Sequence, residues 1–302
     1  MTPDATRSWV DWLPERVQLY ARLARFDRPA GIWLLFWPCV IGVALSREPA
    51  TLGLLPWFLL GAAAMRAAGC VYNDIVDRDL DRRVARTAAR PLASGAIPLR
   101  SAWAFLVFLS LVGLLVLLQL PWRAQLVALA SLLMVAAYPF MKRITWWPQL
   151  WLGLTFNWGA LVGWACSSDP ASPAALLLAY GGLVAWTVGY DSIYAAQDRE
   201  DDALVGIRSS ARALGRRLKP GVALFYALAV IALAGSLFLL APDPLVLLAL
   251  APAALHLGWQ AATFAPHDTE NALLRFRSNV RTGLLMALAF LVTLPFPRGL
   301  VG

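Results

Sequence analysis

Two acidic clusters hold most of the chemistry this sequence offers. The first reads Cys70-Val-Tyr-Asn-Asp-Ile-Val-Asp-Arg-Asp-Leu-Asp81, the second Tyr190-Asp-Ser-Ile-Tyr-Ala-Ala-Gln-Asp-Arg-Glu-Asp-Asp202. On a helix, Asn73, Asp77 and Asp81 stand four residues apart and make one stripe, whereas Asp74 and Asp79 are expected to meet solvent or Arg78, Arg82 and Arg83. Asp191, Asp198 and Asp202 fall within about 20° of a second line on a continuing helix. Carboxylates stacked in this way repel one another, and two such stripes are tolerable only with cations between them. Oxygen donors with an amide suit magnesium, which commonly shares its coordination with phosphate oxygens. The chemistry predicted is therefore a diphosphate held through magnesium. The plainer reading, loop charge balanced by neighbouring arginines, fits one isolated cluster better than two of similar register.

Basic residues supply the complement of such a site. Lys142 and Arg143 follow one apolar run, Arg86 and Arg90 follow the first cluster, and Arg208 follows the second. Arginine forks two hydrogen bonds to phosphate oxygens, and lysine acts as a compact charge. Arg66 differs, because it is the only Lys or Arg deep within an apolar run. It precedes Asn73 by two helical turns, on the same face and about 10 Å deeper. A guanidinium there suits the carboxylate of a small acid, or pairs internally with Asp191 or another protein acid.

The elements that position these groups are membrane spans. Of 302 residues, 60% are hydrophobic and 15% charged, well below the roughly 25% charge of a soluble domain. Apolar runs fall at 30–46, 51–71, 102–120, 123–140, 147–166, 173–190, 221–240, 244–264 and 282–297, giving an all-helical bundle of about nine spans. Charge tests the count. The N-terminal segment and alternate loops carry five, six, two, six and three Lys and Arg residues, and the intervening segments one or none. That alternation predicts an N-terminus and acidic loops on the cytoplasmic side of a bacterial-type inner membrane.

No linker divides the chain, so residues 1–302 are expected to form a single membrane domain. Within 1–28, Trp9, Leu13, Val17, Tyr20 and Ala24 recur at helical spacing and predict an amphipathic helix lying on the membrane. Three separated cysteines and two histidines are too few for a zinc, disulfide or bis-His haem framework. The net charge of +8 is read as topology, with no nucleic-acid partner expected. Gly159-Ala-Leu-Val-Gly163 predicts close helix packing. An ion-coupled transporter also uses intramembrane charge, but would concentrate it near the midplane and not at one edge.

At Asn73-Asp74-x-x-Asp77-x-x-x-Asp81 and Asp198-x-x-x-Asp202 the sequence resembles the UbiA-type intramembrane prenyltransferases. Arg28-Pro-Ala-Gly31, Tyr138-Pro-Phe-Met-Lys-Arg143 and Asp191-Ser-Ile-Tyr-Ala-Ala-Gln-Asp198 extend the resemblance, most of all to the branch that prenylates 4-hydroxybenzoate in ubiquinone synthesis. The resemblance implies that Asn73, Asp77 and Asp81 hold one magnesium and Asp198 and Asp202 another. Lys142, Arg143 and Arg208 would then neutralise the departing diphosphate of a polyprenyl diphosphate. It further implies that Arg66 binds the aromatic carboxylate, Asp191 accepts a proton or orients the phenol, and Tyr194 belongs to the substrate pocket. The isoprenoid tail would leave into membrane lipid, and 82–100 and 203–219 are the loops that could close. Related enzymes with other aromatic or tetrapyrrole acceptors share the metal chemistry.

Overall fold

The structure, a computed structural model, describes residues 8–83, 87–199, 203 and 206–295. Those residues are mostly helical and contain no strand. In chain order the α-helices are α1 (Glu15–Leu23), α2 (Ala30–Leu45), α3 (Leu55–Asp81), α4 (Leu99–Leu117), α5 (Trp122–Ile144) and α6 (Pro148–Phe156). They continue with α7 (Trp158–Trp164), α8 (Pro173–Ala195), α9 (Ser210–Leu214), α10 (Leu218–Leu240), α11 (Ala251–Thr263) and α12 (Thr269–Leu291).

Among the described residues, every predicted apolar run falls largely on helix. Among the described residues, the helical stretches Pro49–Asp81, Leu99–Leu117, Trp122–Ile144, Pro173–Asp198, Ser210–Leu240 and Pro244–Thr263 are long and apolar enough to cross a membrane, and Ala30–Leu45 is a shorter apolar helix. The run at 147–166 is divided into α6 and α7 at Asn157, whose amide replaces the lost backbone order. Its Nδ2 donates to Gly153 O at 2.7 Å, Leu183 O at 3.1 Å and Thr187 Oγ1 at 2.8 Å. The last run begins inside α12, which starts earlier on the polar stretch from Thr269 and so carries Arg275, Arg277 and Arg281 on the same rod.

By its internal contacts the chain divides into two compact units, residues 1–33 with 57–119 and residues 34–56 with 120–302. In the first, Leu23 and Ala24 join Ala67, Ala68 and Val71 of α3 and Ala102 and Leu109 of α4 in one buried cluster, closed by Leu92 and Ile97. The predicted N-terminal helix is thereby modified. Pro14 separates a 3-10 turn, Trp9–Trp12, from α1, because proline cannot donate the backbone bond that a continuous helix needs. The expected stripe splits accordingly: Tyr20 packs edge-on against Phe105 at 5.2 Å and Ala24 is buried, while Trp9 is 57% exposed and Val17 47%.

α1 ends in a Schellman turn. Phe26 N–H donates to Ala21 O at 2.9 Å and Arg25 N–H to Arg22 O at 3.1 Å. The left-handed position, φ 60°, is occupied by Arg25 where glycine is usual. A side chain there costs on the order of 1–2 kcal/mol of backbone strain. Arginine at such a position needs a compensating contact, which the acidic end of α3 provides.

In the second unit α8 packs on α10, α6 and α12. The small-residue pattern meets α2: a Cβ on Gly163 would lie 2.7 Å from Gly42 C and Val43 N, and Gly159 faces Cys39. Larger residues there would force the two helices apart. Buried amides and hydroxyls then tie α8 and α10–α12 together. Trp186 Nε1 donates to Asn279 Oδ1 at 2.8 Å, Asn279 Nδ2 to Gln260 Oε1 at 2.8 Å, Tyr226 OH to Gln260 Oε1 at 3.0 Å, and Gln260 Nε2 to Thr282 Oγ1 at 2.9 Å. In an apolar surrounding such satisfied bonds fix register, since any slip strands several polar groups together.

Candidate functional site

The acidic end of α3 remains helical to Asp81, so Asn73, Asp77 and Asp81 share a face as expected. Asp77 and Asp81 are buried, and Asn73 is half-buried. Asp74 departs from the expectation. It is 2% exposed, and its partners are Arg25 and Arg90 instead of Arg78, Arg82 or Arg83. The reason is angular: seven residues are close to two full turns, so Asp74 lies beside Asp81 on the same face. Asp79 does face outward and pairs with Arg78 at 3.0 Å and Arg82 at 3.5 Å.

Among the described residues, two guanidinium groups pair with carboxylates of this face. Arg25 Nη2 donates to Asp74 Oδ1 at 2.9 Å and Oδ2 at 2.8 Å. Arg90 Nη1 donates to Asp81 Oδ2 at 2.7 Å and reaches Asp74 Oδ1 at 3.3 Å. Sequence reasoning missed Arg25 and Asp74 as members of this cluster. The available signal was an arginine at a helix C-terminus, where glycine is favoured, but its partner lies 49 residues away.

Deeper on α3, the guanidinium of Arg66 rests against the backbone of Gly31. A Cβ added to Gly31 would collide with Arg66 Nε and would stand 3.0 Å from both Cζ and Nη2. The glycine of the Arg28-Pro-Ala-Gly31 motif thus makes room for this cation. Arg86 lies outside the described residues.

The second acidic cluster lies on α8 and its extension. Asp191 is within the helix and half-buried. After Ala195 the chain tightens to a 3-10 turn, Ala196–Asp198, which turns faster than an α-helix and rotates Asp198 roughly 60° from the expected line. Asp202 lies outside the described residues. On another face Trp186, Tyr190 and Tyr194 form an aromatic column, with Tyr194 4.7 Å from the ring of Phe276 on α12. Among the described residues, no three His, Cys, Asp or Glu side chains form a cluster that could hold a metal unaided. Amide, water or phosphate oxygens would have to complete the shell, which matches the habit of magnesium.

The expected basic residues in this unit come together. Arg208 N–H donates to Lys142 O at 3.0 Å, and its Nη1 to Ile144 O at 2.7 Å, so residues 207–210 lie along the end of α5. Arg208 and Arg212 both approach the ring of Trp146, at 5.7 and 5.3 Å from its centroid. Ser210 secures the segment further: its N–H donates to Gln149 Oε1 at 2.9 Å and its hydroxyl lies 2.6 Å from that of Ser192 on α8. Lys142 and Arg143 occupy the last turn of α5, and Arg143 is exposed. These bonds bring Arg208 beside the turn of α5 that carries Lys142 and Arg143.

Among the described residues, six helical stretches long and apolar enough to cross a bilayer, one of them ending in buried carboxylates, are those of a multi-pass membrane protein. The sequence pattern of the UbiA prenyltransferase family matches residues 35–294. The chain belongs to that family. It is 41% identical over 283 residues to the protein named 4-hydroxybenzoate polyprenyltransferase, mitochondrial, of Arabidopsis thaliana, covering 92% of this chain and 70% of that one. The same-named protein of Rattus norvegicus is 41% identical over 293 residues, covering 94% and 76%. A solved structure, a UbiA homologue from Aeropyrum pernix K1, superposes with a TM-score of 0.73 at 26% identity, covering 86% of this chain and 97% of that one. Family membership disfavours the transporter reading. The mitochondrial relatives also overturn the expected bacterial-type inner membrane: loop charge reports orientation across a membrane, and does not say which membrane it is.

Proposed function

We propose that this chain transfers a polyprenyl group from polyprenyl diphosphate to the ring carbon beside the hydroxyl of 4-hydroxybenzoate, giving 3-polyprenyl-4-hydroxybenzoate for ubiquinone synthesis. The observation that carries the reading is the buried run Asp74, Asp77 and Asp81 on one helix face, in a chain whose relatives bear that enzyme's name over most of its length. Asn73, Asp77 and Asp81 would hold one magnesium ion, and Asp198 and Asp202 another. Bound magnesium neutralises diphosphate oxygens and eases their departure.

The chain's own groups do the rest. Lys142, Arg143 and Arg208 neutralise the phosphate oxygens as negative charge accumulates on the leaving group. Departure of diphosphate leaves an allylic cation, which an aromatic face such as that of Tyr194 stabilises. Arg66 takes the carboxylate of 4-hydroxybenzoate and thereby aims its electron-rich ring. Asp191 orients the phenol or accepts the proton released when the ring regains aromaticity. The prenyl tail stays in lipid.

The experiment is an assay of membranes containing the protein with 4-hydroxybenzoate and a polyprenyl diphosphate, with and without magnesium. The expected product is 3-polyprenyl-4-hydroxybenzoate, formed only with magnesium. Folded protein that releases no such product under these conditions would overturn the reading.

A further inference from the structure

We propose that Arg90 is an exchangeable counter-ion, occupying Asp81 until a divalent cation takes it, while Arg25 is the permanent counter-ion of Asp74. The proposal rests on the function above only in naming diphosphate as the anion that receives the displaced arginine.

The two arginines are placed unequally. Arg25 Nη2 contacts both oxygens of Asp74, and the residue is locked in the Schellman turn that ends α1. Its side chain is 14% exposed. Arg90 sits between α3 and α4, outside both helices, with a side chain 26% exposed. Its Nη1 alone spans Asp81 Oδ2 at 2.7 Å and Asp74 Oδ1 at 3.3 Å. One positive nitrogen shared by two carboxylates does electrostatically what a bridging cation would do. Removing it from Asp74 leaves that carboxylate still paired with Arg25. Removing it from Asp81 leaves a buried carboxylate beside Asp77 without that counter-charge, a cost that a divalent cation meets.

Arg90 and the cation therefore compete for Asp81. Competition weakens metal binding when no anionic substrate is present. Once the cation has taken Asp81, the freed guanidinium is a neighbouring donor for whatever phosphate oxygens the cation carries. The two bindings are thus coupled: diphosphate favours metal by giving Arg90 another partner.

The test uses the full-length protein in detergent, without prenyl or aromatic substrate. Mn2+ affinity is read from the spin-resonance signal of free Mn2+, and inorganic diphosphate affinity is then read at saturating Mn2+. Arg90→Gln is expected to bind Mn2+ roughly tenfold more tightly, the equivalent of one lost charge-assisted bond, and inorganic diphosphate several-fold more weakly. Arg90→Lys, which keeps the charge on a single point donor, should fall between the two for Mn2+. The rise in melting temperature on adding Mn2+ should be largest for Arg90→Gln. Unchanged or weaker Mn2+ binding by Arg90→Gln would overturn the proposal. If that variant does not fold, Arg90→Lys decides, with tighter Mn2+ binding than wild type supporting the exchange and equal or weaker binding sinking it. Tightened Mn2+ binding by Arg90→Gln together with no prenyl transfer by the wild-type protein would keep the counter-ion and discard the enzymatic reading.

Discussion

Gly31 lies directly beneath the guanidinium of Arg66, so that a single added methyl group would meet Nε, Cζ and Nη2. The contact is with the end of a flexible side chain, and Gly31→Ala should therefore move the cation without unfolding the protein. The expected result is a rise of roughly tenfold in KM for 4-hydroxybenzoate, with KM for the prenyl diphosphate and the melting temperature little changed. Arg66→Ala should shift the same constant further. Equal effects on both substrates would remove Arg66 from the aromatic carboxylate.

Arg25 separates backbone strain from charge pairing. Arg25→Ala loses the Asp74 contacts and keeps an unfavourable φ, and should lower stability by about 2 kcal/mol, reduced from a full buried pair because Arg90 also touches Asp74. Arg25→Gly loses the same contacts but relaxes the turn, and should be about 1 kcal/mol more stable than the alanine variant. Thermal unfolding of the two variants side by side measures the difference; equal midpoints would mean that the left-handed turn is not retained.

Asp77 stands between two other buried carboxylates. Its replacement by alanine removes an oxygen ligand from the proposed metal shell, so magnesium-dependent prenyl transfer should disappear while the protein remains folded. Persistent turnover in the folded variant would take Asp77 out of the metal shell.

Gln149→Leu tests the basic segment. It strands the buried N–H of Ser210, costing about 1–3 kcal/mol, and frees Arg208 to drift from Lys142. KM for the prenyl diphosphate should rise several-fold and KM for the aromatic acid should not. Kinetics and melting behaviour identical to wild type would show that the segment is held without this bond.

The spans and the acidic stripe of α3 were legible because they depend on local composition and on a fixed angle per residue. Asn73, Asp77 and Asp81 needed only an intact helix. Other features depend on partners distant in sequence. Nothing near Asp74 announces Arg25, and Asn157 breaks a run whose composition is mostly apolar on both sides. The same holds for Gln260 and Asn279, which look like isolated polar interruptions until each is seen completing the other's hydrogen bonds. At Asp198 the fault was an assumed pitch: three residues of tighter winding redirect a carboxylate that ideal geometry would have aligned.

The Arg25–Asp74 pair also orders assembly in time. The two residues are 49 positions apart, with α2 and most of α3 between them. A chain made from its N-terminus produces Arg25 before either helix. The counter-ion of the acidic edge thus exists early and is secured late, and α1 gains this contact only once its carboxylate has been made.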